Sequence, residues 1–145
     1  MQSDRIVLDT NCLIAALSRN SEFYSVWTNF QQGNYILCVT NEILEEYQEI
    51  IAQKTSEVVA ENVINLLLKS ENVMFVDSYF RLQLIESDVD DNKFVDCAFA
   101  ADATYIVSDD KHFDILANIS FPRILVLKLN EFLNRLNKTT HNPPA

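Results

Sequence analysis

Glycine is almost missing from this chain: Gly33 is the only one among 145 residues. That excludes the glycine-rich loops whose backbone N–H groups cradle phosphates. There is no G-x-G-x-x-G fingerprint and no Walker-type loop, so a nucleotide cofactor is not expected. Basic residues are also scarce. Eleven Lys and Arg face 21 Asp and Glu, a net charge of −10, which is the wrong sign for binding nucleic acid through phosphate neutralisation alone. The three cysteines, Cys12, Cys38 and Cys97, are odd in number, widely spaced and set in apolar runs. They read as reduced core thiols, not as a disulfide framework or a zinc site. No apolar run approaches the ~18 residues that a membrane span needs, and the chain opens on polar Met1-Gln2-Ser3-Asp4 instead of a signal peptide. The expectation is a cytoplasmic protein with no membrane partner.

What is present is an ordinary globular balance, with 48% hydrophobic residues. The length suits one domain over residues 1–136, able to bury roughly two thirds of its unfolded surface. Residues 137–145, with two prolines and few apolar side chains, read as a disordered C-terminal tail. Short apolar strands are expected at 6–8, 35–39, 73–76, 105–107 and 124–127. Helices are expected from about Cys12, after an Asn20-Ser21-Glu22 cap, from a Thr40 or Asn41 cap to about Gln53, and over 56–69 with Val59, Val63, Leu66 and Leu67 as its stripe. Further helical segments follow from Asp90 or Asp91 to about Ala101, over 112–116, and from an Asn130 cap to Leu136. Gly33 closes the second helix. Strands alternating with helices predict an α/β fold with a central parallel sheet and helices on both faces.

The stretch on which function turns is Val7-Leu8-Asp9-Thr10-Asn11. An apolar strand ends abruptly in an acid, and a helix follows at once, which puts Asp9 at the carboxyl end of a buried strand where open α/β sheets place ligands. Tyr105-Ile106-Val107 followed by Ser108-Asp109-Asp110 repeats that logic, although residue patterns alone do not rank Asp109 against Asp110, one of which is a turn residue. Helical geometry sorts the other acids. Glu42, Glu45 and Glu49 fall opposite the stripe of Ile43, Leu44, Tyr47, Ile50 and Ile51, as a solvated face. Glu46 lies at its edge, about 100° from the centre. In the next acidic helix Asp91 leads the stripe of Phe94, Val95, Ala98 and Phe99, whereas Asp96 lies about 140° away. If Asp9, Glu46, Asp91 and Asp110 converge, each close pair costs about 4 kcal/mol at an effective dielectric near 20. Such a set must take up protons or bind a divalent cation, and oxygen ligands favour Mg²⁺ or Mn²⁺ over zinc.

Asp9-Thr10-Asn11, Glu46 after Thr40, Asp91-Asn92-Lys93-Phe94 and Ser108-Asp109-Asp110 resemble the PIN domain family, and more narrowly the VapC-like toxin components of bacterial toxin–antitoxin systems. The resemblance runs from Ile6 to about Leu136. It implies a three-layer α/β/α sandwich and a Mg²⁺- or Mn²⁺-dependent ribonuclease whose catalytic and metal-binding acids are Asp9, Glu46, Asp91 and Asp110. It also implies accessory roles for Thr10, Asn11 and Ser108. Asp109 stands where the family often has a small residue and so competes as the fourth acid, and Asp96 is at most a supporting residue behind the ligands. Lys93 is a candidate for steering substrate phosphate, with Arg5, Arg19, Lys111 and Arg123 as a basic rim. His112 is read as a structural residue after the turn, because metal-activated water supplies the nucleophile in this chemistry. RNA as substrate, a small antitoxin protein as partner and a homodimer all suit the family.

Phosphoryl-transfer folds that use a strand-end aspartate fit less well. Haloacid-dehalogenase-like phosphatases need a second acid two residues after the first, where this chain has Asn11, and receiver domains phosphorylate an aspartate after a middle strand, whereas the second strand here ends in Val39-Thr40-Asn41. The non-enzymatic alternative is an acidic PIN-like module that binds a basic protein partner.

Overall fold

The computed structural model describes residues 3–77, 81–86 and 88–141. Its frame is a five-stranded, wholly parallel sheet in the order β3-β2-β1-β4-β5, formed by β1 (Arg5–Leu8), β2 (Ile36–Val39), β3 (Val73–Phe75), β4 (Tyr105–Val107) and β5 (Val126–Leu127). Parallel strands need long crossovers, and helices supply them: α1 (Thr10–Leu17) and α2 (Tyr24–Gln31), α3 (Asn41–Lys54) and α4 (Glu57–Lys69), and α5 (Asn92–Ala101), with α6 (Leu129–His141) after the last strand. The result is the expected three-layer α/β/α sandwich. The three central strands read as unbroken apolar runs because helices cover the sheet: Ile6, Val7, Leu37, Cys38, Val39, Ile106 and Val107 are at most 1% exposed. On the rim of the core, Trp27 and Phe30 stack, and Tyr35 meets Phe132 of α6 edge-on.

Chain order creates one special crevice. From β1 the chain moves outward to β2 and β3, then returns to the other side of β1 as β4. Leu8 is paired with Val107, so the loops after β1 and β4 diverge from neighbouring strand ends, which is where a doubly wound sheet opens a ligand cleft.

Several boundaries differ from expectation. The helix at 56–69 buries Ala60, Val63 and Leu67, while Val59 is 38% exposed. This helix lies against α3, and a narrow stripe at i, i+3 and i+7 covers that contact. α6 does not end at Leu136 but runs to His141, since nothing in 137–141 breaks a helix and the first stop signal is Pro143, which restricts the residue before it. Residues 142–145, the end of the expected tail, lie outside the described residues. α5 is buried on nearly every side, including Asp96 at 2% exposure, because segment 81–86 packs across it. Gly33 closes α2 with φ +80°, a conformation that residues other than glycine rarely adopt.

Two side chains tie this frame to the carboxyl ends of the strands. The buried Tyr47 hydroxyl of α3 donates to the Leu8 carbonyl at 2.5 Å, which fixes α3 next to Asp9. Asn92 clamps the 81–86 segment on α5: its Oδ1 accepts from the Ile85 N–H and its Nδ2 donates to the Ile85 carbonyl, both at 2.9 Å. Asn92→Ala leaves two buried backbone groups unpaired, each costing about 1–3 kcal/mol. The expected outcome is a loss of roughly 3 kcal/mol in urea unfolding, with the Ile85 amide exchanging faster than in wild type.

Candidate active site

Asp9 takes the first position after β1 and is 7% exposed. Its N–H continues the ladder to the Val107 carbonyl at 3.0 Å, so the residue is held by sheet geometry and its carboxylate projects into the crevice beside β4. Ser108 stands opposite. The Ser108 hydroxyl donates to Asp9 Oδ2 at 2.7 Å and accepts from the Asp110 N–H at 3.0 Å, so one buried hydroxyl links the two strand ends. Burial drives the Asp9 carboxyl above its usual range, and the charges of Asp110 and Glu46 add to the rise, although the Ser108 and Thr10 hydrogen bonds oppose it.

The structure separates the neighbouring acids after β4. Asp109 accepts from the Leu129 N–H at 2.9 Å, capping the start of α6. Asp110 begins a 3-10 helix over Lys111–Asn118 and accepts from the His112 N–H at 2.9 Å. Both line the cavity beside Asp9, but Asp109 is tied to α6 whereas Asp110 is tied to His112 and Ser108.

Asp91 enters from the third side. It closes a 3-10 turn, Val89–Asp91, that leads into α5. Neither Asp90 nor Asp91 caps that helix with its side chain. The capping is done one turn earlier by Asp88, which accepts from the Asp90 N–H at 3.1 Å. Burial pushes the Asp91 carboxyl up to about 6, helped by the charges of Asp88, Asp110 and Asp9 and opposed by a hydrogen bond from His112.

Glu46 reaches the crevice from α3, with its neighbours Glu42, Glu45 and Glu49 facing solvent as expected. Both of its oxygens are engaged: Oε1 pairs with Lys93 Nζ at 2.7 Å and Oε2 accepts from the Thr10 hydroxyl. Lys93 is therefore an internal partner of Glu46 and not a free phosphate-steering cation. Arg5 does not join a basic rim either, since it opens β1 at the opposite end of the strand and donates to the Ala101 carbonyl. A cation not expected at the rim, Lys54, donates to the exposed Asn11 Oδ1 at 3.2 Å. Asp96 has a structural contact: its Oδ1 accepts from the Leu82 N–H at 3.1 Å.

His112, expected to be a structural residue after the turn, lies among the acids: its Nδ1 is 3.1 Å from Asp91 Oδ2, 3.2 Å from Asp110 Oδ1 and 3.6 Å from Asp88 Oδ2. Asp88, which precedes the expected helix, was not singled out at all. Among the described residues, the group that brings ligand atoms within 4.8 Å of one another is Asp88, Asp91 and His112. Helical spacing does not encode this approach, because Asp88 precedes one 3-10 turn, 89–91, and His112 lies in another, 111–118.

The donors suit a divalent cation. Carboxylates from three chain segments share one field, Lys93 neutralises only Glu46, and burial holds Asp9 and Asp91 above their usual range. In the absence of metal, the folded state binds a proton at Asp91 more tightly than the unfolded chain does. That contribution is complete below about pH 4 and is lost as pH rises through about 6. His112, raised chiefly by its hydrogen bond with Asp91, works in the same direction. EDTA-treated protein is thus expected to lose roughly 1 kcal/mol of Asp91-dependent stability between pH 5 and 7.5, measured as the change with pH in the urea-midpoint difference between wild type and Asp91→Asn. A pH-independent difference would contradict this.

The fold has relatives among solved structures. A chain of VapBC2 from Rickettsia felis, solved bound to a DNA fragment from their promoter, superposes with a TM-score of 0.59 at 14% identity, over 86% of this chain and 98% of that one. VapC20 from Mycobacterium tuberculosis, described as a Sarcin-Ricin loop cleaving toxin, gives 0.54 at 13%, over 78% and 94%. The RRP44 PIN domain of T. brucei gives 0.56 at 14%, over 96% and 84%. A search of curated protein sequences finds no match. A sequence profile described as PIN domain matches residues 5–112, the span from the first strand to the histidine in the acidic crevice, and the chain belongs to the PIN domain family.

Proposed function

We propose that the protein is a Mg²⁺- or Mn²⁺-dependent endoribonuclease that hydrolyses RNA phosphodiester bonds. What supports this reading is the burial of Asp9 and Asp91 beside the β1 and β4 strand ends, where burial raises their carboxyls and each feels the charge of Asp110. Asp9, Asp91 and Asp110 would hold the ion, and Glu46 joins them by exchanging Lys93. When bound, such an ion activates water as a nucleophile and offsets the charge that builds on the phosphate. Ser108 orients Asp9, and Thr10 orients Glu46. Asp109 and Asp96 support the site from behind by fixing the start of α6 and the 81–86 segment. Asn11 and Lys54 form an exposed polar rim where a phosphate chain can pass.

The relatives named as VapBC and VapC support a toxin role with a small antitoxin as partner, and a cytoplasmic homodimer fits the same reading. Among the described residues no helix is long and apolar enough to cross a membrane. The Lys93–Glu46 pair favours one alternative, an acidic module that receives a basic side chain from a partner protein, because it shows a lysine seated in this crevice.

The test is RNA cleavage by purified protein with Mn²⁺ against single-stranded and structured RNA. Wild type is expected to cleave, with Asp9→Asn at least 100-fold slower and equally well folded by circular dichroism. Equal rates, or no cleavage by either, would remove the nuclease reading and leave the binding module.

A further inference from the structure

We propose that Asp88, Asp91 and His112 form a cation position containing an imidazole nitrogen at the edge of the acidic crevice, and that this position makes the protein select a first-row transition ion over Mg²⁺. The inference rests on the metal-dependent reading above and goes beyond it, since neither Asp88 nor His112 belongs to the four acids inferred from sequence.

The argument is geometric. Ligands on one edge of an octahedron, each ~2.1 Å from the ion, lie ~3 Å apart. His112 Nδ1 stands 3.1 Å from Asp91 Oδ2 and 3.2 Å from Asp110 Oδ1, with Asp88 Oδ2 at 3.6 Å. The ligand atoms of Asp88, Asp91 and His112 all lie within 4.8 Å of one another, close enough for one ion to take the place of the hydrogen bond that joins His112 to Asp91. The turns hold this spacing by their own backbones: Asp88 accepts from the Asp90 N–H, and Asp110 accepts from the His112 N–H. The main chain of His112 is held against Asp110 by that contact, and its ring Nδ1 bonds with Asp91 Oδ2 at 3.1 Å. The ring is 39% exposed, which leaves a route for an ion from solvent.

Chemistry then sets the selectivity. Mg²⁺ favours oxygen donors in a regular octahedron and gives up water reluctantly, whereas a neutral imidazole suits the first-row transition ions. Asp91 is shared between this position and the crevice floor, so an ion here lies beside Asp9 and Asp110 and acts on the same phosphate.

The experiment is pulsed EPR of Mn²⁺ bound to the full chain, with Mg²⁺ competition, for wild type, His112→Gln and Asp88→Asn. Wild type is expected to show nitrogen modulation that shifts on ¹⁵N-histidine labelling and vanishes in His112→Gln. Preference for Mn²⁺ over Mg²⁺ should fall at least tenfold in both variants. Gln and Asn keep the backbone contacts of the two turns, and unchanged thermal unfolding in EDTA confirms that the variants fold. Bound Mn²⁺ without nitrogen modulation, or an unchanged preference in the variants, overturns the inference while RNA cleavage stands. Nitrogen modulation in a protein that cleaves no RNA leaves the inference intact and removes the nuclease reading. No bound Mn²⁺ in wild type overturns both.

Discussion

Everything around the crevice follows from placing negative charge where water is scarce. A carboxylate buried after β1 shares the field of a second beyond β4 and a third at the start of α5, and burial, more than mutual repulsion, raises the carboxyls of Asp9 and Asp91. The protein relieves little of this by itself. One lysine neutralises Glu46, one hydroxyl satisfies an oxygen of Asp9, and His112 stands among Asp88, Asp91 and Asp110. The remaining strain appears as carboxyls that hold protons too well, with Asp91 up at about 6. A fold that keeps such an arrangement gains from a cation, and the cost in stability is the natural trace of a site organised for function.

The sheet makes the arrangement rigid. Asp9 and Ser108 are extensions of two hydrogen-bonded parallel strands, so their separation is fixed by strand spacing and not by a loop. Tyr47 anchors α3 to the carbonyl of Leu8 and so brings Glu46 to Thr10. Asn92 anchors the segment before α5. The acids of the crevice thus come from a strand end, a helix face and a 3-10 turn, each locked by a hydrogen bond from a neighbouring residue.

Strand-borne features were legible in the sequence because they depend on local pattern. Apolar runs that end in an acid gave β1 and β4, Asp9 and the 108–110 turn. The edge position of Glu46 on its helix came from simple angular bookkeeping. What escaped depends on tertiary choices. Asp109 and Asp110 are chemically identical neighbours, and only the position of α6 decides that Asp109 caps a helix while Asp110 is tied to His112. The 100° rule fails in 3-10 turns, so Asp88 and His112 could not be placed by it. The burial of Asp96 reflects the 81–86 segment lying across α5, which helical periodicity does not encode. Lys93, expected to steer phosphate, pairs with Glu46 of another helix, a contact that the periodicity of neither helix encodes.

Isothermal titration of Mn²⁺ at neutral pH into wild type and into the Asp9→Asn/Asp110→Asn double variant asks whether the acids on the two sides of the β1/β4 crevice hold one divalent ion. The expected result is saturable binding in wild type that is lost in the double variant, with both proteins folded. Undiminished binding in the double variant, or none in wild type, would contradict it.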